Sequence, residues 1–224
     1  MIYICTHTDF DEKDMHGTIL SKAELTKQYK QPVIVVDQVP LQRSMCEGVQ
    51  ISWLQQHATD DYIGLAQYRK FFTDIPENTT ILPKPIAKNM ELQYARYHNL
   101  DDLRACESII DRLFPEYSTD YALIETIYPH NMFVMKREDF KEYARFVLGV
   151  LKVFCIENNL NTDSDVIEHV KRNRKHYYNR DERYQSRLLG FLLERLSTIF
   201  YTTYFKGKKV EYRDIEVISG KKAD

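Results

Sequence analysis

The segment YIGLAQYRK (62–70) starts as a short apolar run and ends in polar and cationic side chains. Its apolar part has the composition of a buried β-strand. The residues that follow are Gln67, Tyr68, Arg69 and Lys70. Ligands of open α/β sheets gather beyond the carboxyl ends of the strands. The segment therefore predicts a central strand and, at its carboxyl end, one side of a binding site.

Other short apolar runs extend this strand into a sheet. IYIC (2–5) and VIVV (33–36) predict two buried strands, and SKAELTKQYK (21–30) predicts the helix between them. TTILP (79–83) and NMFVM (131–135) predict two more strands. Because strands alternate with helices, we expect an α/β fold whose mainly parallel sheet is flanked by helices.

The second half of the chain has a helical pattern. Apolar residues recur at steps of three and four between residues 138 and 155, and again between 184 and 205. We find no repeat and no Gly/Ser-rich linker. The sequence therefore predicts one domain over 1–224, with a sheet-rich half over 1–136 and a helix-rich half over 137–224.

Composition excludes several classes of protein. The 31 Lys and Arg nearly balance the 33 Asp and Glu, so no global field favours nucleic acid. The seven glycines form neither a G-x-G-x-x-G nor a P-loop motif, and the four cysteines show no metal-ligand spacing. No apolar run is long enough to span a membrane, and the first residues do not read as a signal peptide. We expect a cytoplasmic protein with reduced thiols.

The literal D-x-D of the chain is Asp9-Phe10-Asp11. Two carboxylates one residue apart can share a Mg²⁺ or Mn²⁺ ion and bridge it to a diphosphate. A solvated acidic loop without any ligand explains the same residues. We therefore assign no metal site. If a metal ion binds, Asp9 and Asp11 are the candidate ligands.

Cationic side chains stand at the carboxyl end of the predicted central strand. Arg69 and Lys70 follow this strand, and a guanidinium fork beside an ammonium suits a diphosphate. A basic loop that only faces water explains them equally well. His130 and Asn131 lead into the predicted strand over 131–135, where they could contact hydroxyl groups or only complete a turn.

Two further charged features admit two explanations each. Glu194 and Arg195 lie in an otherwise apolar helical segment, so they form either a structural ion pair or a catalytic carboxylate with its positioning residue. The basic, tyrosine-rich stretch 171–183 is either a solvated surface or a patch for acidic partners.

Read in order, several segments resemble a family of bacterial capsular, exopolysaccharide and lipopolysaccharide biosynthesis proteins. This family is classed as a domain of unknown function and regarded as glycosyltransferase-like. The matching segments are MCEGVQISWL (45–54), YIGLAQYRKFF (62–72), ILPKP (81–85), QYARYHNLDDL (93–103), YPHNMFVMKREDFKEY (128–143) and YQSRLLGFLLERL (184–196). The family has His where this chain has Gln67, so a role of that histidine is not transferred. Gly64 and Gly190 lie in two of these segments, where we expect close packing.

The resemblance implies a GT-A-type nucleotide-diphospho-sugar transferase fold and a donor bound beyond the strand ends. On this basis we expect transfer of a sugar from a nucleotide diphosphate sugar to a glycan or lipid-linked glycan acceptor. On this basis Thr6 and His7 would lie near the nucleoside. Arg69 and Lys84 would contact the diphosphate, and Arg187 is a further cationic candidate for substrate binding. Tyr68, His130 and Asn131 would line the sugar or acceptor cleft, and Glu194 would act as base or positioning carboxylate, steered by Arg195. We count Glu194, Arg195 and His130 as the catalytic group. Since side-chain cations replace the usual acidic motif, no divalent cation is firmly expected.

Two other functions fit the same sequence. A non-catalytic protein that binds sugar nucleotides or glycans would suit the departure at Gln67. An interaction module would use the basic stretch 171–183. The expected acceptors are also compatible with peripheral association at the inner face of the membrane.

Overall fold

The computed structural model describes residues 2–5, 33–36, 44–67, 70–72, 74–172 and 182–217. Its strands are β1 (Ile2–Cys5), β2 (Val33–Val36), β3 (Tyr62–Gln67), β4 (Lys70–Phe72), β5 (Ile81–Pro83), β6 (Ile86–Ala87), β7 (Thr126–Ile127), β8 (Phe133–Lys136), β9 (Glu211–Arg213) and β10 (Ile215–Val217). Its helices are α1 (Glu47–His57), α2 (Met90–Ala95), α3 (Leu100–Leu113), α4 (Arg137–Glu157), α5 (Asp163–Arg172), α6 (Glu182–Gln185) and α7 (Leu188–Tyr204). Two single-turn 3₁₀ helices, Pro115–Tyr117 and Tyr121–Leu123, precede β7.

The strand β3 lies between β1 and β8 in the main sheet. β1 runs parallel to β2 and β3, with Ile2 opposite Gly64, whereas β8 is antiparallel to β3, with Leu65 opposite Phe133. The sheet continues from β8 through β5 to β9, and β4 pairs with β3 and β10. Among the described strands of this sheet, parallel ladders pair more residues than antiparallel ones. The predicted α/β class with a mainly parallel sheet is confirmed.

Apolar side chains cover both faces of β3. Ile63 and Leu65 pack into the large core under the helices, while Ala66 packs on the opposite face with Ile2 and Val134. This alternation follows from the period of two along a strand. A strand buried on both faces also explains why the apolar run was readable in the sequence.

The helix-rich half is built around α4 and α7. The aromatic ring of Phe200 on α7 lies 5.4 Å from Tyr143 and 5.8 Å from Phe146 on α4, measured between ring centroids. The helix predicted from the periodic pattern over 138–155 corresponds to α4, which is only slightly longer. The helix-rich C-terminal half is thereby confirmed.

The second predicted helix, over 184–205, is in fact two helices. α6 ends at Gln185 and α7 begins at Leu188. The amide of Gly190 in the first turn of α7 donates to the carbonyl of Ser44, 2.8 Å away. This contact supplies one of the acceptors that the first turn of a helix lacks, so α7 starts where the chain meets the segment before α1.

Other boundaries also shift from the expected ones. The strand predicted from residue 131 begins at Phe133, because His130 and Asn131 have positive φ angles that no regular strand accepts. Helices α2, α3 and α5 and strands β9 and β10 had no counterpart in the sequence prediction. The helix predicted over 21–30 lies outside the described residues.

Candidate active site at the end of β3

The carboxyl end of β3 meets the start of β8. Gln67 ends β3, Lys70 opens β4, and the His130–Asn131 turn precedes β8. Because β8 is antiparallel to β3, its first residues lie beside the last residues of β3. The Nε2 of Gln67 donates to the carbonyl of His130 at 3.0 Å, and Lys70 Nζ lies 2.9 Å from His130 Nδ1. Two candidates far apart in sequence are thus in direct contact.

The turn itself holds an unusual backbone. His130 has φ 77° and Asn131 has φ 51°, both in the left-handed region. Asn and His adopt this region more often than other non-glycine residues, but positive φ is uncommon for both. Strained residues of this kind persist where the surroundings hold them, often at functional sites. Here the hydrogen bond from Gln67 to the His130 carbonyl is one of the contacts that hold the turn.

The side chain of Glu47 forms the floor of this cluster. It is 8% exposed, and its Oε1 accepts from Gln67 Nε2 at 2.7 Å. Its Oε2 accepts from Asn131 Nδ2 at 3.4 Å, and Asn131 Oδ1 in turn accepts from the Ser197 hydroxyl at 3.3 Å. Both carboxylate oxygens are therefore occupied by protein amides. Glu47 is not among the site residues predicted from the sequence. The available signal was a charged residue that opens a helix within a segment resembling the family.

Electrostatics favour a neutral imidazole beside a cation. Burial lowers the pKa of Lys70 below its ordinary value, although the Glu47 and Glu194 carboxylates act in the opposite direction. Burial, together with the Lys70 charge, also lowers the pKa of His130, which is therefore neutral at pH 7. With Lys70 as an ammonium, His130 Nδ1 must accept its hydrogen bond. The neutral ring then carries its proton on Nε2.

Helix α7 brings a second cation and a carboxylate to the same edge. Arg187, just before α7, donates from Nε to Cys46 Sγ at 3.2 Å. The charge of Arg187 affects the pKa of Lys70, and the charge of Glu194 affects the pKa of both Lys70 and His130. The structure thus brings together Lys70, His130, Asn131, Arg187 and Glu194, which the sequence spreads over 125 positions from 70 to 194.

Arg195 lies behind Glu194 rather than in the open cleft. Its side chain is 4% exposed, and its Nη1 is 3.5 Å from Glu194 Oε1. Its Nη2 donates to Gln93 Oε1 on α2, while Nε and Nη1 find no hydrogen-bond acceptor among the described residues. A buried guanidinium with spare donors can hold the neighbouring carboxylate in a fixed position. This arrangement suits the positioning role predicted for Arg195, and an ion pair that is only structural also remains compatible with it.

Lys84 lies on another side of His130. Both residues line a pocket, and Lys84 Nζ is 3.5 Å from Asp214 Oδ1. The other expected ligands, Thr6, His7, Tyr68 and Arg69, lie outside the described residues, as do Asp9 and Asp11.

The described side chains at this edge do not fit a divalent cation. Glu47 is occupied by two amides, and Lys70 and Arg187 are themselves cations. Within the described ranges, no three His, Cys, Asp or Glu side chains are grouped closely enough to hold a metal ion. The edge instead offers positive charge and hydrogen-bond donors, which suit a phosphate.

Only the ends of the basic stretch 171–183 are described. Lys171 on α5 forms ion pairs with Glu168 at 3.1 Å and Glu182 at 3.5 Å. These acids neutralise the start of the stretch. Among the described helices, none is both apolar enough and long enough to cross a bilayer.

This chain is similar to a solved structure and to a protein family. The fold is similar to the apo structure of the bifunctional glycosyltransferase WbbM, with a TM-score of 0.66 and 17% sequence identity. The alignment covers 97% of this chain and 45% of that one, so the chain spans less than half of the length of WbbM. No curated protein matches the sequence. Residues 73–206 match the family described as "Domain of unknown function (DUF4422)". These residues make up more than half of the chain, which therefore belongs to the DUF4422 family.

Proposed function

We propose that this chain is a glycosyltransferase that moves a sugar from a nucleotide diphosphate sugar to a surface-polysaccharide acceptor. The observation that carries the proposal is the meeting of Lys70, Arg187, His130 and Glu194 beyond the end of β3. Two cations, a neutral imidazole and a carboxylate are the groups that such a transfer needs. The fold likeness to a glycosyltransferase supports the choice of reaction.

In this proposal Lys70 and Arg187 neutralise the diphosphate as it leaves. Arg69, two residues beyond Gln67, is a third cation for the same group. The described donor set does not fit a metal ion, so side-chain cations take over the neutralisation that a divalent cation would otherwise supply. Thr6 and His7 are proposed beside the nucleoside, and Tyr68 and Asn131 beside the donor sugar.

The acceptor is activated by Glu194. As the acceptor oxygen bonds to the anomeric carbon, its proton passes to the Glu194 carboxylate, and the bond between that carbon and the diphosphate breaks with its electron pair on the phosphate oxygen. Arg195 holds the Glu194 carboxylate in position, and the His130 Nε2–H donates a hydrogen bond to a substrate oxygen. A lipid-linked acceptor would bring this chemistry to the inner face of the membrane.

The test is release of nucleoside diphosphate from uridine, guanosine and thymidine diphosphate sugars, each with a panel of methyl glycosides as acceptors. We expect at least one turnover reaction, and Glu194→Gln slows it by about 100-fold or more with little change in donor KM. Glu77→Gln is the matched control, because Glu77 precedes Asn78, whose carbonyl accepts from Tyr62 at the opposite end of β3. Donor binding without any turnover would instead favour the non-catalytic binding protein, and a full rate in Glu194→Gln would remove the proposed base.

A further inference from the structure

A surface pocket adjoins the candidate active site and shares His130 with it. Its volume is about 240 Å³. Three chain segments line it: Lys84 to Ile86 after β5, Pro129 and His130 before β8, and Arg213 to Ile215 between β9 and β10. The pocket is smaller than the roughly 300–1,000 Å³ of sites for drug-sized ligands, so it suits a single ring rather than a whole nucleotide sugar.

The pocket is fixed by the sheet beneath it. Pro83 pairs with Arg213 in the parallel ladder between β5 and β9, and the Lys84 amide donates to the Arg213 carbonyl at 2.9 Å. Two of the three walls are therefore joined by backbone hydrogen bonds. A site on such a frame keeps its shape before a ligand arrives.

The charges on the pocket walls are already compensated. Lys84 faces Asp214 at 3.5 Å, and Arg213 Nη2 bonds to Glu211 and lies 3.8 Å from Asp74. Compensated cations attract a polyanion weakly, but their donors and the Asp214 oxygens still bind hydroxyl groups. This charge balance favours a neutral polyol over a diphosphate.

The remaining lining is apolar. Pro85, Ile86, Pro129 and Ile215 contribute carbon surface, and Ile86 is 40% exposed. A pyranose ring combines C–H faces with hydroxyl edges, and this lining of apolar surface with a few polar groups matches both. The lining of the pocket therefore favours a sugar ring over other neutral polyols.

We propose that this pocket binds the terminal sugar of the acceptor glycan, with Asp214 and Lys84 reading its hydroxyl groups. The proposal rests on the proposed transferase function. Since His130 contacts Lys70 and also lines the pocket, an acceptor held here lies directly beside the cations assigned to the donor diphosphate. Lys84, predicted from sequence as a diphosphate ligand, is thereby reassigned to the acceptor.

Saturation-transfer NMR on the full chain tests this with the methyl glycosides of galactose, glucose, mannose and rhamnose. We expect at least one to receive saturation, and Ile86→Trp, which fills the pocket, to abolish the signal. Asp214→Asn keeps the shape but weakens binding roughly tenfold, the size expected for one lost charged hydrogen bond. Leu113→Trp is the control, because Leu113 is 51% exposed on α3 and does not line the pocket.

A second measurement separates this proposal from the function on which it rests. Ile86→Trp should leave the thermal shift produced by a nucleotide sugar unchanged, because the variant blocks only the acceptor side. If no methyl glycoside binds, or if Ile86→Trp binds as well as the unchanged chain, the acceptor site is wrong while donor binding can still stand. If no nucleotide sugar binds the unchanged chain, the proposed function itself fails.

Discussion

Glu47 is the residue on which the geometry of the candidate site depends most. A buried carboxylate is costly unless it is paired and hydrogen-bonded. Glu47 meets this condition through the amides of Gln67 and Asn131, and its charge also raises the pKa of Lys70. One carboxylate thus holds the turn at His130 and helps to keep the neighbouring amine charged.

This role predicts a change in pH dependence for Glu47→Gln. In the proposed function Lys70 binds the diphosphate as a cation, so binding should weaken as the pH rises through the lowered pKa of Lys70. Removing the Glu47 charge lowers that pKa further, so the loss of sugar-nucleotide binding should move to lower pH. Binding measured by calorimetry from neutral to alkaline pH reports the shift.

Glu107→Gln is the matched control for this experiment. Glu107 is also buried, on α3, and burial together with the Glu91 carboxylate raises its pKa to about 8. Its carboxyl is therefore largely neutral at pH 7, and Gln replaces it with little electrostatic change. A pH profile that moves equally in both variants would mean that Glu47 acts only through general stability.

At the scale of elements, α7 carries both core and site. Its apolar residues Leu192, Leu196 and Phe200 are fully buried, while the charge of Glu194 on the same helix acts on Lys70 and His130. The helix starts against the segment before α1, where a Cβ on Gly190 would lie 2.7 Å from Cys46 Sγ. Real Cβ atoms do not come this close, so glycine is required for α1 and α7 to meet.

Gly190→Ala should therefore destabilise the protein. The added methyl group must push α7 away from Cys46, at a cost of about 1–3 kcal/mol in the free energy of unfolding. Gly48→Ala on α1 is the comparison, because its Cβ would meet only the flexible end of Met45 at 3.2 Å. It should lie within about 1 kcal/mol of the unchanged chain, since Ala also favours the helix. Urea unfolding measures both, and equal stability of the two variants would contradict the packing argument.

Elements whose signal lies in their own residues could be predicted from the sequence. Elements that depend on contacts with distant parts of the chain could not. The strand β3 and the helix α4 were readable because their own apolar residues carry the signal over several turns or alternations. The antiparallel direction of β8 could not be predicted, because an apolar run looks the same in a parallel and an antiparallel ladder. The strands β9 and β10 are short and carry charged residues, and they form only by pairing with β5 and β4, far away in sequence.

The residues of the candidate site could also be predicted only in part from the sequence. His130 and Glu194 stood out as polar residues beside or within apolar runs, and Arg187 through the family resemblance. Their convergence depends on the antiparallel order of β8 and on the packing of α7. Glu47 and Asp214 gave no comparable signal, because their partners lie far away along the chain. The residues that complete the cluster and the pocket were visible only after folding.

At the scale of the whole molecule, a nearly neutral chain concentrates its chemistry at one edge of the sheet. The total charge is −2, yet two cations lie near each other there: burial and, to a smaller extent, the charge of Arg187 lower the pKa of Lys70. The opposite end of β3 holds an ordinary surface pair, Arg137 with Asp61 at 3.0 Å. The glycine-poor sequence contains neither a G-x-G-x-x-G nor a P-loop motif, so the proposed phosphate binding relies on side-chain cations.

The most direct test of this account is a thermal-shift titration with sugar nucleotides in the presence of EDTA. A ligand that binds only the native state raises its melting temperature. We predict that at least one uridine, guanosine or thymidine diphosphate sugar does so without any divalent cation. Lys70→Gln and Arg187→Ala should each lose most of this shift, and the matched variant Arg137→Ala at the opposite edge should keep it. A shift that requires manganese, or one that survives in both Lys70→Gln and Arg187→Ala, would contradict the account.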